Sequence, residues 1–204
     1  MGLSTVNPQL VSILACLVVG SALSTFASPS GPDVRDVVAR AAVDNIVYVT
    51  SADKHCMIMP RDPHTDIGDS EHPGGMKTYC TPHGRYDSKQ GQLPADFWSN
   101  IAFKTGNGKN GGRYAQVTGC IRPSHLTRLN PDDGGGQYDS SGGDGGQGNP
   151  QGSVCLGYNH YVELVEPSGN RACIKCCDDA ADCPTNKDTQ GCPAVIHGNY
   201  FDCD

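Results

Sequence analysis

The chain has 204 residues, with 15 Lys and Arg against 22 Asp and Glu, a formal net charge of −7 at pH 7. That balance argues against non-specific binding to nucleic acid or to an acidic membrane, both of which call for a basic surface. Gly (26) and Pro (14) lie above the usual share but below the low-complexity range, and charged residues at 18% are too few for a coiled coil or a charge-driven disordered chain.

No charged side chain precedes Asp33. Leu10 to Leu23 is a mainly apolar run of 14 residues, followed by Thr25-Phe26-Ala27, the layout of a secretory signal peptide with cleavage expected after Ala27. The run is short of the roughly 20 residues a spanning helix needs, so residues 1–27 are read as a leader and no membrane association is expected after its removal. Residues 28–45 form a short N-terminal segment in which Val34, Val37, Val38, Ala41 and Ala42 recur at helical spacing. It packs on the domain or leaves as a pro-segment.

From Ile46 onward the pattern is mostly that of strands. Ile46–Thr50 is β-branched and aromatic, and Cys56–Met59 continues in that style. Residues 61–75 are loop-like, and 93–100 reads as one helical turn carrying Phe97 and the only Trp, Trp98. Ile101–Lys104 and Arg113–Arg122 read as strands, and Ser124–Leu129 as a short helix. Residues 130–152 are a Gly-rich loop. Val154–Val165 and Arg171–Lys175 read as two strands flanking the hairpin-turn composition Pro167-Ser168-Gly169-Asn170. The expected fold is a mainly β or α+β small disulfide-rich domain, with a β-rich part over 46–170 and a cysteine-rich C-terminal segment over 171–204 packed on it.

Of the 11 cysteines, Cys16 falls in the leader. The remaining set is even in number: Cys56, Cys80, Cys120, Cys155, Cys173, Cys176, Cys177, Cys183, Cys192 and Cys203. In an exported chain this reads as a disulfide framework whose connectivity spacing alone leaves open. Adjacent Cys176 and Cys177 are expected to take different partners, because a bridge between neighbours is strained. The alternative, a zinc site using Cys173-x-x-Cys176, suits a reducing compartment better.

Three groups of residues invite chemistry. The 61–75 loop holds His64, Asp66, Asp69, Glu71 and His72, types that ligate divalent metals or move protons. No recognised ligand spacing is present, so a solvated loop with Asx-turns is the expectation, with His64, Asp66, Asp69 and His72 as metal candidates. In the Gly-rich loop, Asp132, Asp133, Asp139 and Asp144 suggest weak calcium binding, but Gly145-Gly146-Gln147-Gly148 lacks the Asp and the tandem copies of a calcium-binding repeat. On the Val154–Val165 strand, alternation puts Tyr161, Glu163 and Val165 on one face and His160, Val162 and Leu164 on the other. His160 and Glu163 therefore do not act as a pair, and a catalytic Glu163 calls for Arg113 or His125 across an open groove. Tyr114 and Tyr138, each after Gly-Gly, are core residues by default, with stacking on sugars as the alternative. No G-x-S-x-G elbow and no N-x-[ST] sequon occurs. No cofactor is expected.

The segments CMIMP, IGDSEHPGGM, FWSNIAFKTGNGKNGGRYAQVTGC, GGQYDSSGG, GYNHYVELVEP, RACIKCCDD and GCPAVIHGNYFDC, read together over about 46–203, resemble an uncharacterised group of small secreted cysteine-rich fungal proteins from species living on or in hosts. The resemblance implies an extracellular location and a candidate effector role, and carries no catalytic residue. The expected function is thus a secreted, monomeric, non-catalytic protein binding a host protein or cell-wall glycan. The alternatives are a small extracellular hydrolase of glycan or RNA, and a metal-binding secreted protein.

Overall fold

The computed structural model describes residues 1–2, 41–142 and 144–203. Met1–Gly31 and Pro32–Asp204 are separate units, and every strand described belongs to the second. The expected leader, and the expected helix over 34–42 apart from Ala41 and Ala42, lie outside the described residues.

Among the described residues the fold is mainly β, with two five-stranded sheets and one short helix. The first sheet comprises β1 (Ile46–Val49), β2 (His55–Pro60), β3 (Met76–Cys80), β4 (Gly91–Gln92) and β8 (Val154–Cys155), in the order β4-β3-β2-β1-β8. The second comprises β5 (Trp98–Asn107), β6 (Arg113–Ile121), β7 (Gly136–Asp139), β9 (His160–Glu166) and β10 (Arg171–Cys177), in the order β5-β6-β10-β9-β7, with every neighbour antiparallel. The helix α1 spans Cys192–Val195.

Strand alternation explains the layering. On the core face, Val47 and Val49 of β1 and Met57 and Met59 of β2 join Val117, Tyr161, Val165, Ala172 and Ile174 of the second sheet in one buried cluster. The intervening Tyr48 and Cys56 turn to the far side of the first sheet and meet Cys80. The far face of the second sheet buries Val162, Leu164, Cys173 and Cys177 under Val195 and Ile196 of the C-terminal segment. Both faces of β9 and β10 are therefore covered, and apolar residues fall on both faces of each strand.

All ten cysteines from Cys56 onward are bridged: Cys56–Cys80, Cys120–Cys203, Cys155–Cys176, Cys173–Cys192 and Cys177–Cys183. Cys176 points into the inter-sheet core and Cys177 to the opposite face, so the neighbours take different partners, as strand alternation requires. A framework of this density belongs to an oxidising compartment. Among the described residues, no helix is long and apolar enough to cross a membrane.

Three local readings change, and a fourth, the strand at 171–175 beyond the 167–170 turn, is found as expected. The single strand expected over 154–165 is two. β8 pairs with β1 in the first sheet, β9 pairs in the second, and Gly157 at φ 85° turns the chain between them. The helical turn expected at 93–100 is a tight turn, Phe97 N–H donating to Pro94 O at 3.0 Å, and Trp98 already begins β5. The expected helix over 124–129 is a 3-10 turn at Pro123–His125. Arg171–Cys177 is the middle strand of the second sheet, flanked by β6 and β9.

Candidate functional site

A cleft of about 800 Å³ opens where the edge strand β7 of the second sheet meets the loop leading into β3. Gln137 and Asp139 of β7 contribute one wall, and Glu71, His72 and Met76 another. Asp44, Asn45 and Arg61 also line it, as do Thr185 and Asp188 of the C-terminal segment. The 142–151 loop supplies Asn149 and Gln151.

Asp139 organises this region. Its side chain accepts the N–H of Ser141 at 2.8 Å, the N–H of Gly142, and Gln137 Nε2 at 3.0 Å. Its backbone exchanges two bonds of 2.9 Å with Asn149, so the loop is laced to the strand edge. An added Cβ on Gly142 would collide with the Asp139 carboxylate, so only glycine fits there. The amide of Gln137 is fixed because Nε2 also donates to Thr185 O at 3.0 Å, and its buried Oε1 has no partner among the described residues. Glu71 lies on the rim. Burial of its carboxyl raises its pKa, the Asn149 amide opposes this, and the nearby Asp139 and Asp188 raise it further. Arg61 bridges Asp44 at 3.0 Å and donates to Gly74 O and Met76 O, locking the loop onto β3.

The sequence candidates are scattered, apart from His72 and Asp139, which with Glu71 line the cleft. His64 is exposed at φ 53°, with its N–H on Thr127 O. Asp66 accepts from Asn130 Nδ2 at 2.7 Å, and Asp69 is exposed. Asp133 accepts the Gly135 N–H at 3.0 Å in an Asx-turn and the Ile67 N–H at 2.8 Å across the fold. Among the described residues, no three His, Cys, Asp or Glu side chains gather as metal ligands. His125 pairs with Asp96 at 2.8 Å on the surface, remote from His160 on β9.

Glu163 is a correction. An open groove shared with Arg113 or His125 was the condition for its catalytic use, and it is fully buried between the sheets, its Oε2 accepting Ile58 N–H at 2.9 Å. Burial raises its pKa well above the ordinary 4.5, which favours the protonated form. Arg113 is elsewhere, forked onto Asp178 at 2.8 and 3.1 Å. Tyr138 is also buried, its hydroxyl 2.7 Å from Ser70 Oγ, which removes the stacking role. Tyr114 is half-buried with Lys175 Nζ 4.4 Å above its ring.

Sequence reasoning missed Gln137, Asn149 and Asp188. Glu71, in the loop before β3, and Gln137, on β7, are 66 positions apart, and no local spacing links them. The one available signal was that His72 and Glu71 share a loop with no ligand pattern.

Comparison with known proteins returned no match: no family model fits the chain, and no curated protein and no solved structure matches it.

Proposed function

We propose that the chain is a secreted, disulfide-braced binding protein that acts outside the cell, as a candidate effector of fungal type, and takes a segment of cell-wall glycan in the Glu71–Gln137–Asp139 cleft. The observation that carries the reading is the make-up of that cleft: it is lined by carboxylates, amides and backbone, held by hydrogen bonds and bridges, and keeps an acceptor, Gln137 Oε1, without a partner. Hydroxyl-rich ligands are recognised by such fixed donors and acceptors. The five bridges suit a protein working beyond the reducing interior of the cell.

The experiment is co-sedimentation of the oxidised protein with insoluble chitin, chitosan, cellulose and β-glucan, against Gln151→Trp. Gln151 is exposed on the cleft rim, so the indole blocks entry without disturbing the core. Retention on one polysaccharide that Gln151→Trp abolishes supports the reading, and absence of retention on all four sinks it. One observation favours a second reading, a hydrolase: Glu71, with its pKa raised, sits near Asp139, the pattern of a carboxylic acid beside a carboxylate. Release of new reducing ends from any of these polymers, lost in Glu71→Gln, selects it.

A further inference from the structure

The charge inventory of the cleft identifies the kind of glycan, an inference that rests on the glycan reading above. The one Arg in the wall, Arg61, is answered by Asp44 at 3.0 Å. Glu71, Asp139 and Asp188 line the same space, and none of the ion pairs among the described residues includes them. Asp139 is satisfied by neutral donors, two backbone N–H groups and the Gln137 amide, which leave its charge in place. The cleft is thus net anionic inside a protein of net charge −7.

A second, independent observation points to a ligand rich in donors. Gln137 is only 5% exposed, its Nε2 is committed to Asp139 and Thr185, and its Oε1 lacks a partner. A buried acceptor without a donor is destabilising, and an N–H or O–H donor arriving with a ligand satisfies it. Anionic walls and an unfilled acceptor together select a ligand that is cationic and carries N–H or O–H groups.

We propose that the cleft selects glycans bearing free amines, polymers of de-N-acetylated amino sugar, with Glu71 and Asp188 supplying the countercharge and Gln137 Oε1 the acceptor. Other cationic ligands fit less well. A basic peptide has no strand edge to extend, because Asn149 occupies the outer edge of β7, with its side-chain amide also on Gln137 O at 3.3 Å. Met76 and two prolines, Pro73 and Pro150, are the apolar side chains in the wall, so anchors for a peptide are lacking. A bare divalent cation finds no set of three ligands among the described residues.

The test is isothermal titration of the oxidised protein, at low salt and at neutral pH, where the raised Glu71 carboxyl is still able to ionise, with the tetramer of glucosamine, the tetramer of N-acetylglucosamine and a neutral β-glucan tetramer. Exposed ion pairs are individually weak, so two of them predict about a tenfold preference for the free-amine tetramer, falling as salt is raised. Asp188→Asn, at an exposed position, and Glu71→Gln should each cut that preference about threefold. Unchanged thermal midpoints show that the variants are folded. Equal affinity for the amine and acetyl tetramers, a preference insensitive to both variants, or tighter binding of an oligolysine peptide overturns the inference. Binding of the neutral tetramers without an amine preference removes this inference and leaves the glycan reading standing, whereas no binding of any tetramer removes both.

Discussion

The carboxyl of Glu163, on β9 of the second sheet, accepts the backbone N–H of Ile58, on β2 of the first, at 2.9 Å. β1 pairs with β2 only at Tyr48↔Cys56 and Val49↔His55, so Ile58 lies in a stretch of β2 that β1 leaves unpaired. A buried N–H there needs an acceptor, and a side chain from the facing sheet provides it. Glu163 is the middle of a cross-strand row, opposite Tyr138 on one side and Ile174 on the other. Its role is to join the sheets, and its chemistry is that of a neutral acid.

That arrangement has a pH signature. Burial holds the Glu163 pKa well above its ordinary 4.5. The unfolded chain ionises first, so the stability contributed by the protonated side chain is complete below 4.5 and declines as pH rises toward the raised folded value. Glu163→Gln keeps the acceptor and removes the titration. Urea midpoints measured across pH should fall with rising pH for the native chain and lose that component in the variant. Parallel profiles for the two proteins would show that Glu163 ionises freely, contrary to its burial.

His55 acts in the opposite direction. It is fully buried on β2, and Trp98 Nε1 donates to its Nε2 at 3.1 Å, so that nitrogen carries no proton. Burial lowers its pKa from 6.5 to about 4, partly opposed by the carbonyls of Ser51 and Ala52 and by Asp53. The stability that depends on a neutral ring is present above 6.5 and is lost as pH falls from 6.5 through 4, in all about 3 kcal/mol. The Glu163→Gln background isolates this effect. The His55 imidazole should show no NMR titration until the pH nears 4, with Trp98 fluorescence changing alongside it. Titration near 6.5 in the folded protein would contradict the buried Trp98–His55 pair.

The bridges should differ in worth according to the loops they close. Cys120–Cys203 spans 83 residues and Cys177–Cys183 spans 6. Constraint of the unfolded chain gives about 4.5 kcal/mol for the first and about 2 kcal/mol for the second. Paired Cys→Ser variants measured by urea unfolding should preserve that order. A larger loss from the Cys177–Cys183 pair would mean that local packing beneath β10, rather than loop closure, sets the contribution.

Much of this was legible from alternation and cysteine parity. The faces of β9 follow from period two, since Tyr161, Glu163 and Val165 cannot share a side with Val162 and Leu164. The even cysteine set required full pairing. What alternation does not encode is which sheet a strand joins. Val154–Val165 reads as one continuous strand because both halves are apolar, yet Gly157 divides it between sheets. Nor does it encode what lies opposite a polar residue in the core. Glu163 looks like a site residue in sequence because carboxylates are rarely buried, and only the facing Ile58 N–H explains it. The cleft was least legible: its walls come from before β1, before β3, β7 and the segment after β10, and only tertiary packing brings Glu71, Gln137 and Asp188 together.

The segment after β10 should be the first to come loose when the bridges are reduced. Residues 178–203 contain one 3-10 turn, Ala180–Asp182, and α1, with Val195 and Ile196 as the large buried side chains outside the cysteines. Three bridges fasten it: Cys177–Cys183, Cys173–Cys192 and Cys120–Cys203. Tyr200 adds a clasp, its hydroxyl donating to Ile196 O at 2.6 Å with Cys192 O also 3.0 Å away. β10 itself is ladder-bonded on both sides along its whole length and does not depend on those bridges to stay in the sheet. Limited trypsin digestion over a reductant series, mapped by mass, should therefore show cleavage after Lys187 accelerating first, while Lys175 on β10 stays protected. Tyr200→Phe should shift the onset to milder reduction, since a lost hydrogen bond of this kind is worth about 1 kcal/mol. Early cleavage after Lys175 or within Arg113–Arg122, with Lys187 still protected, would mean that the C-terminal segment stabilises the second sheet more than the sheet stabilises it.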